Sequence, residues 1–175
     1  MGIEAVKSST PEVCRGKIKE AIKLIMTKGE DELQAFVAEF KTEFYQMTAE
    51  QISFPRSCNN LKKYKHSSNI FIKGTPIHVK GALIYNENLK RFKLHRKYPI
   101  IQEGDKLKFL KLKEANPFKF DVISYVTKLP TEFALQEYID YDLMFQKTFL
   151  DPMSFILNSI GWTYEKTASL EDFFV

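Results

Sequence analysis

Two apolar stripes in succession, separated by one glycine, constrain the first fifty residues more than any other feature of the chain. Val13, Cys14, Ile18, Ala21, Ile22 and Ile25 recur at helical spacing. Gly29 interrupts them, and Leu33, Phe36, Val37, Phe40 and Phe44 resume the pattern with Glu and Lys on the opposite side. Residues three and four apart share one helix face, so each stripe must be buried. The short break makes the pair a helical hairpin, and both stripes read as core. Ser9 and Glu12 stand at capping-box spacing with Pro11 in the first turn, and Gly29 is the stop.

Beyond residue 50 the period changes. Residues 52–54 suit a short strand, and residues 55–69 form a polar stretch, read as a surface loop, that carries Arg56, Asn59, Asn60, Lys62, Lys63, Tyr64 and Lys65. Gly74, Thr75 and Pro76 open a helix over 77–89 with His78 and Lys80 near its start. Gly81 inside that helix costs about 1 kcal/mol relative to alanine, and close backbone packing would account for it. Ile100 and Ile101, a turn at Glu103, Gly104 and Asp105, then Leu107, Phe109 and Leu112 alternating with Lys106, Lys108 and Lys111 predict a hairpin with one basic face. A further strand fits 122–126. Phe133, Leu135 and Tyr138 lead into a helical stretch, Asp151 and Pro152 open a last helix through Ile160, and Gly161 caps it. The fold class is α+β: a helical hairpin plus helices packed around a small antiparallel sheet. At 175 residues and 44% hydrophobic, the chain can fill one sizeable core.

The charges are unevenly placed. Residues 55–113 hold 15 lysines and arginines against 3 acidic residues, a net of +12, while the rest of the chain carries −8. A basic block in an otherwise acidic chain is the footprint of a phosphate-binding surface or, more plainly, of a solvated lysine-rich face. Arg56, Asn59, Asn60, Lys63, Tyr64, Lys73, His78 and Lys80 combine cations, amides and a helix start, the groups that hold a sugar-phosphate backbone without reading its sequence. Salt should weaken such binding strongly, because each neutralised phosphate releases counterion.

Catalytic patterns are missing. The chain has no glycine-rich phosphate loop, no His-x-x-x-His or Cys-x-x-Cys spacing and no Gly-x-Ser-x-Gly elbow, so no catalytic residue, metal or cofactor is expected. Asp140 and Asp142 pair two carboxylates, but alternate positions of a helix point apart, and a solvated helix start explains them better. Cys14 and Cys58 read as two reduced thiols. No apolar run is long enough to span a bilayer and residues 1–10 hold no signal-peptide segment, which places the chain in a cytoplasm.

Several ordered segments resemble the C-terminal part of the family B replicative DNA polymerases of T-even-type phages. They are residues 52–64, Gly74-Thr75-Pro76-Ile77-His78-Val79-Lys80-Gly81 with Tyr85-Asn86, Gln102-Glu103-Gly104-Asp105-Lys106, Ala115-Asn116-Pro117-Phe118, Asp140-Tyr141, Gln146-Lys147-Thr148-Phe149 and Ala168-Ser169-Leu170. The opening Met1-Gly2-Ile3-Glu4 with Lys7-Ser8-Ser9-Thr10-Pro11 is similar to that family's join between palm and thumb. The resemblance implies a thumb that wraps the primer-template duplex, with 1–50 as the palm-thumb junction and helical hairpin, 51–165 as the duplex-binding thumb and 166–175 as a tail. It implies backbone and minor-groove contacts from the eight residues chosen above on charge. It also implies that Leu170, Phe173 and Phe174 dock on a sliding clamp.

Nothing resembles the exonuclease, the fingers or the metal-binding palm strands, so polymerising and proofreading chemistry would lie in a catalytic remainder. Such a chain is either a piece of a longer polymerase or a split-gene product that begins at Met1 and joins its catalytic partner through the apolar helices of the first fifty residues. The implied setting is the cytoplasm of an infected bacterial host. A rival reading is a free-standing single-stranded nucleic-acid-binding or clamp-regulatory protein with Phe92, Tyr98 and Phe109 as stacking platforms. A small metal-dependent nuclease is weakest, because the basic middle holds almost no carboxylates.

Overall fold

A computed structural model describes residues 4–166. Helices α1 (Glu12–Thr27) and α2 (Glu30–Tyr45) form the expected hairpin. Cys14, Ile18 and Ala21 of α1 and Leu33, Val37, Phe40 and Phe44 of α2 are buried, so both stripes face the chain's own core. Any partner of the first fifty residues therefore meets the outer faces of these helices. The Ser9 cap does not form: Pro11 takes the N-cap position and no side chain caps α1. Gly29 serves as the N-cap of α2, where its N–H donates to the Glu32 carboxylate at 3.1 Å.

A short helix, α3 (Ala49–Ile52), leads into strand β1 (Phe54–Ser57). The strand thus starts two residues later than expected, and Ile52 ends a helix. Residues expected to form a loop are instead folded as helix α4 (Leu61–Tyr64) and strand β2 (Lys65–His66), which pairs with β3 (Ile70–Phe71). Helix α5 (Ile77–Arg91) follows, then β4 (Lys106–Lys111) and β5 (Val122–Tyr125). The main sheet is antiparallel in the order β1-β4-β5. Ile100 and Ile101 form no strand, so the expected hairpin does not exist; the partners of β4 come from distant parts of the chain, which local patterning does not report.

Register divides the sheet into two faces, because directly opposed residues in antiparallel strands point to the same side. Phe54, Arg56, Leu107, Phe109 and Ser124 share the face covered by α5; Lys108, Leu110, Ile123 and Tyr125 share the other. The basic face expected of β4 is split as well: Lys106 and Lys108 lie on one side and Lys111 on the other. On the second face Ser53 Oγ donates to the Ala49 carbonyl at 2.6 Å, so its 2.6 Å contact with Tyr125 is a bond donated by the tyrosine hydroxyl.

The chain closes with α6 (Tyr141–Phe145), a π-helical turn (Gln146–Leu150) and α7 (Asp151–Ile160), one run in which Asp151 and Pro152 continue a helix rather than open one. Phe145 immediately precedes the π-helical turn and Phe149 lies within it, and their ring centroids lie 5.5 and 4.8 Å from that of Phe40. This aromatic contact joins the C-terminal run to the hairpin, so one core serves both. Gly161 ends α7 at φ 72°, as its position predicts.

Gly81 is where α5 meets the sheet. A Cβ there would lie 2.4 Å from Ser124 Oγ and 2.8 Å from the Ser124 backbone nitrogen. Gly81→Ala gains helix propensity of about 1 kcal/mol, yet it forces α5 off a backbone that cannot yield. We expect a net loss of about 1–3 kcal/mol in urea unfolding; an unchanged or stabilised variant would show that α5 can shift freely.

Candidate nucleic-acid interface

The basic block folds into two structurally different groups of cations. The first lies on a small flap made of α4, β2 and β3. Beyond the β2–β3 pairing, Ile72 N donates to the Tyr64 carbonyl at 3.0 Å, which brings Lys73 beside the Lys63–Tyr64 turn. His66 Nδ1 accepts the N–H groups of Ser68 and Asn69 at 3.2 and 3.1 Å and closes the hairpin tip. Asn59, Asn60, Lys62, Lys63, Lys65 and Lys73 are exposed, and Tyr64 is half-buried with the Lys63 ammonium 5.3 Å from its ring centroid.

The second group is held inside the fold. Arg56 Nη1 donates to the carbonyls of Ser9 and Pro55 at 2.7 and 2.8 Å, and its guanidinium lies 5.7 and 5.6 Å from the rings of Phe54 and Phe109. Arg56 thereby ties the chain entry to β1. Lys80 and Lys111 meet at one carboxylate: Lys80 Nζ is 3.0 Å from Asp121 Oδ1 and Lys111 Nζ is 2.5 Å from Oδ2. Lys108 Nζ donates to the Glu50 carbonyl at 2.8 Å. Lys80→Ala therefore acts on the fold as well as on any phosphate contact.

His78 is half-buried, with its ring 6.3 Å from that of Phe109. Burial, and then the positive charge of Arg56, push its pKa below the usual histidine range, against a hydrogen bond to the Ser57 backbone. The imidazole is mainly neutral at pH 7, so it offers hydrogen bonding and packing to a ligand and little charge.

The eight sequence-chosen residues are thus not one cluster. Asn59, Asn60, Lys63, Tyr64 and Lys73 sit on or beside the flap, whereas Arg56, His78 and Lys80 belong to the face of the sheet that α5 covers. Lys62 and Lys65, exposed on the same flap, belong with the first set. Sequence reasoning also missed Asp121, which anchors two lysines; nothing in its local sequence sets it apart. Asp140 and Asp142 do not converge, because Asp140 caps α6 through Leu143 N at 3.0 Å while Asp142 accepts from the Tyr45 hydroxyl. Among the described residues, no group of three or more His, Cys, Asp or Glu side chains is placed to hold a metal ion. Both cysteines are buried free thiols, and burial pushes each up to about 11.

The stacking platforms of the rival reading are largely occupied. Phe109 is 6% exposed and stacks on Phe54 at 5.1 Å. Tyr98 donates to Glu132 at 2.7 Å, and Phe92, although 45% exposed, stacks on Phe118 at 6.2 Å. Leu170, Phe173 and Phe174 lie outside the described residues. No described helix is long and apolar enough to cross a membrane.

The chain is 32% identical over 178 aligned positions to the DNA-directed DNA polymerase of Enterobacteria phage T4, and 35% identical over 179 positions to that of Escherichia phage RB69. Each alignment covers 99% of this chain. The chain is homologous to part of a T-even-type phage DNA polymerase. It spans about a fifth of the length of these relatives, 19% in both cases. No protein-family model matches it. The resemblance carried by the ordered segments from residue 52 onward is borne out at the level of similarity to these phage polymerases.

Asp121 gives this region a pH dependence. Burial by itself raises its carboxyl, but hydrogen bonds and charge from Lys111 and Lys80 outweigh it and hold the group at about 2. A carboxyl depressed on folding adds stability above its unfolded value of about 4, and that stability is lost as pH falls through the folded value. Asp121→Asn should lower the melting temperature at pH 7, and the gap from wild type should close as pH falls from about 4 toward 2. A gap independent of pH would contradict the ion pairs as its origin.

Proposed function

We propose that this chain is the non-catalytic, thumb-like portion of a phage family B DNA polymerase. It grips the primer-template duplex through its backbone and helps keep the primer end seated in a catalytic remainder. The observation that carries this reading is the flap, where Lys62, Lys63, Lys65 and Lys73 stand exposed around Asn59, Asn60 and Tyr64 in a chain homologous to DNA polymerases. Exposed cations neutralise phosphates, and exposed amides hydrogen-bond them, without distinguishing bases. Arg56 and Lys80 support the surface by fixing β1 and α5, and His78 adds a neutral hydrogen-bonding group beside them.

The further partners are the catalytic remainder, which would supply the polymerising and proofreading chemistry, and a sliding clamp engaged by Leu170, Phe173 and Phe174. The setting is the cytoplasm of the infected bacterial cell, and this portion carries no cofactor of its own. A single-strand binder is less well supported, because Phe109 is buried and Tyr98 is engaged by Glu132.

Fluorescence anisotropy of the chain with a primer-template duplex and with the matching single strand, at low and raised salt, separates the readings. Tighter, salt-sensitive duplex binding is expected. Lys63→Ala should weaken binding to every duplex sequence alike and reduce the salt slope by about 1. Preference for the single strand, or a changed sequence preference in the variant, would contradict the duplex reading.

A further inference from the structure

We infer that Glu103 is a positioning residue for duplex binding: an acidic side chain inside the basic block that strengthens the grip by holding the flap in place. This inference rests on the duplex reading above and adds how the surface is set.

The flap leaves the sheet through residues 58–61, and that exit is fixed from the turn that precedes β4. Cys58, which is fully buried, donates its N–H to the Asp105 carbonyl at 2.8 Å and accepts from Gly104 N at 2.7 Å. Asp105 Oδ2 takes Gln102 N at 2.7 Å, and Gly104 adopts φ 84°, so the turn is shaped with Glu103 at its tip. From there the Glu103 carboxylate accepts Asn60 N at 2.5 Å and Leu61 N at 2.8 Å, one oxygen to each. Asn60 stands in the left-handed region at φ 63°, a conformation that needs support in any residue but glycine.

Packing does part of this work, with Leu61, Ile70 and Phe71 half-buried against the core, but it leaves a gap. A groove of about 440 Å³ runs between the flap and the second half of α5, with Leu61, Lys65 and Ile70 on one wall and Leu83, Asn86 and Ile101 on the other. Two side-chain contacts hold the two ends of the flap beside that groove. Phe71, whose ring lies 5.6 Å from that of Phe120 and 5.3 Å from the Lys80 ammonium, fixes the strand end, and Glu103 fixes the helical end next to Lys62 and Lys63.

Charge and position predict opposite signs for a substitution at residue 103. Removing a negative charge from a phosphate-binding surface should tighten binding if charge alone matters. If Glu103 positions the flap, Glu103→Ala weakens it, because only the fraction of molecules with the flap seated can bind.

The test is duplex anisotropy on the full 175-residue chain with Glu103→Ala, Glu103→Gln and Lys63→Ala, singly and in combination. A seated fraction of about 10–20% in Glu103→Ala weakens duplex binding roughly five- to tenfold. Glu103→Gln, which keeps one acceptor oxygen and sets its amide NH2 against the other backbone N–H, binds less tightly than wild type and more tightly than Glu103→Ala. Lys63→Ala costs the same factor in both backgrounds, because every complex that forms has the flap seated. Hydrogen exchange checks folding: the amides of Asn60 and Leu61 speed up in Glu103→Ala while those of α1 and α2 do not.

Glu103→Ala binding as tightly as wild type, a Lys63→Ala cost that differs between the two backgrounds, or faster exchange throughout the chain would each overturn the inference while leaving the duplex reading intact. A wild-type chain that binds no duplex would overturn both.

Discussion

The close approach of α5 to β5 at Gly81 sets the geometry on which the basic surface depends. Ser124 fills the space that any larger residue would need, and its hydroxyl donates to the His78 carbonyl at 2.8 Å, so helix and strand are joined by contact and by a hydrogen bond at one place. That contact brings the first turns of α5 over the sheet face that carries Arg56 and Phe109. It places Lys80 within reach of Asp121, and it gives the flap, which runs from β1 to the start of α5, two ends at defined positions. The aromatic contacts among Phe40, Phe145 and Phe149 then tie this unit to the N-terminal hairpin through a shared core.

A chain with 15 cations in 59 consecutive residues faces a problem of self-repulsion, and the structure resolves it by division of labour. Some cations are neutralised or hydrogen-bonded within the fold: Lys80 and Lys111 by Asp121, Lys97 by Glu132, Arg56 and Lys108 by backbone carbonyls. The flap lysines extend into solvent, where high dielectric and counterions keep their repulsion small. Few acidic residues lie in the block, and Asp105 and Glu103 both work on the turn that holds the flap exit. Acidic residues placed this way give shape to a surface whose net charge remains positive.

Much of this was legible from the sequence where the signal is local. The helices of the hairpin, α5 and α7 follow their apolar periods, Gly161 caps as its position predicts, and Gly81 marks a close backbone contact, although Gly16 inside α1 has open space at its Cβ position and shows that a helical glycine alone does not prove one. The failures share one cause, dependence on distant partners. Strand β4 pairs with β1 and β5 instead of with Ile100 and Ile101, because antiparallel partners are chosen by the whole core. Residues 61–69 read as polar loop because a single helical turn and strands of two residues leave almost no periodicity to detect. Charge marked out the basic region but could not separate exposed cations from paired ones, since Asp121 lies 41 positions from Lys80.

Hydrogen-exchange mass spectrometry of the chain with and without a primer-template duplex tests the central claim most directly, because it locates the contact without altering a residue. Duplex should slow exchange across residues 58–73 and the first turn of α5, the matching single strand should do so much less, and the effect should fade as salt is raised. Protection confined to residues 92–98, or produced equally by single strand, would contradict a flap that grips duplex DNA.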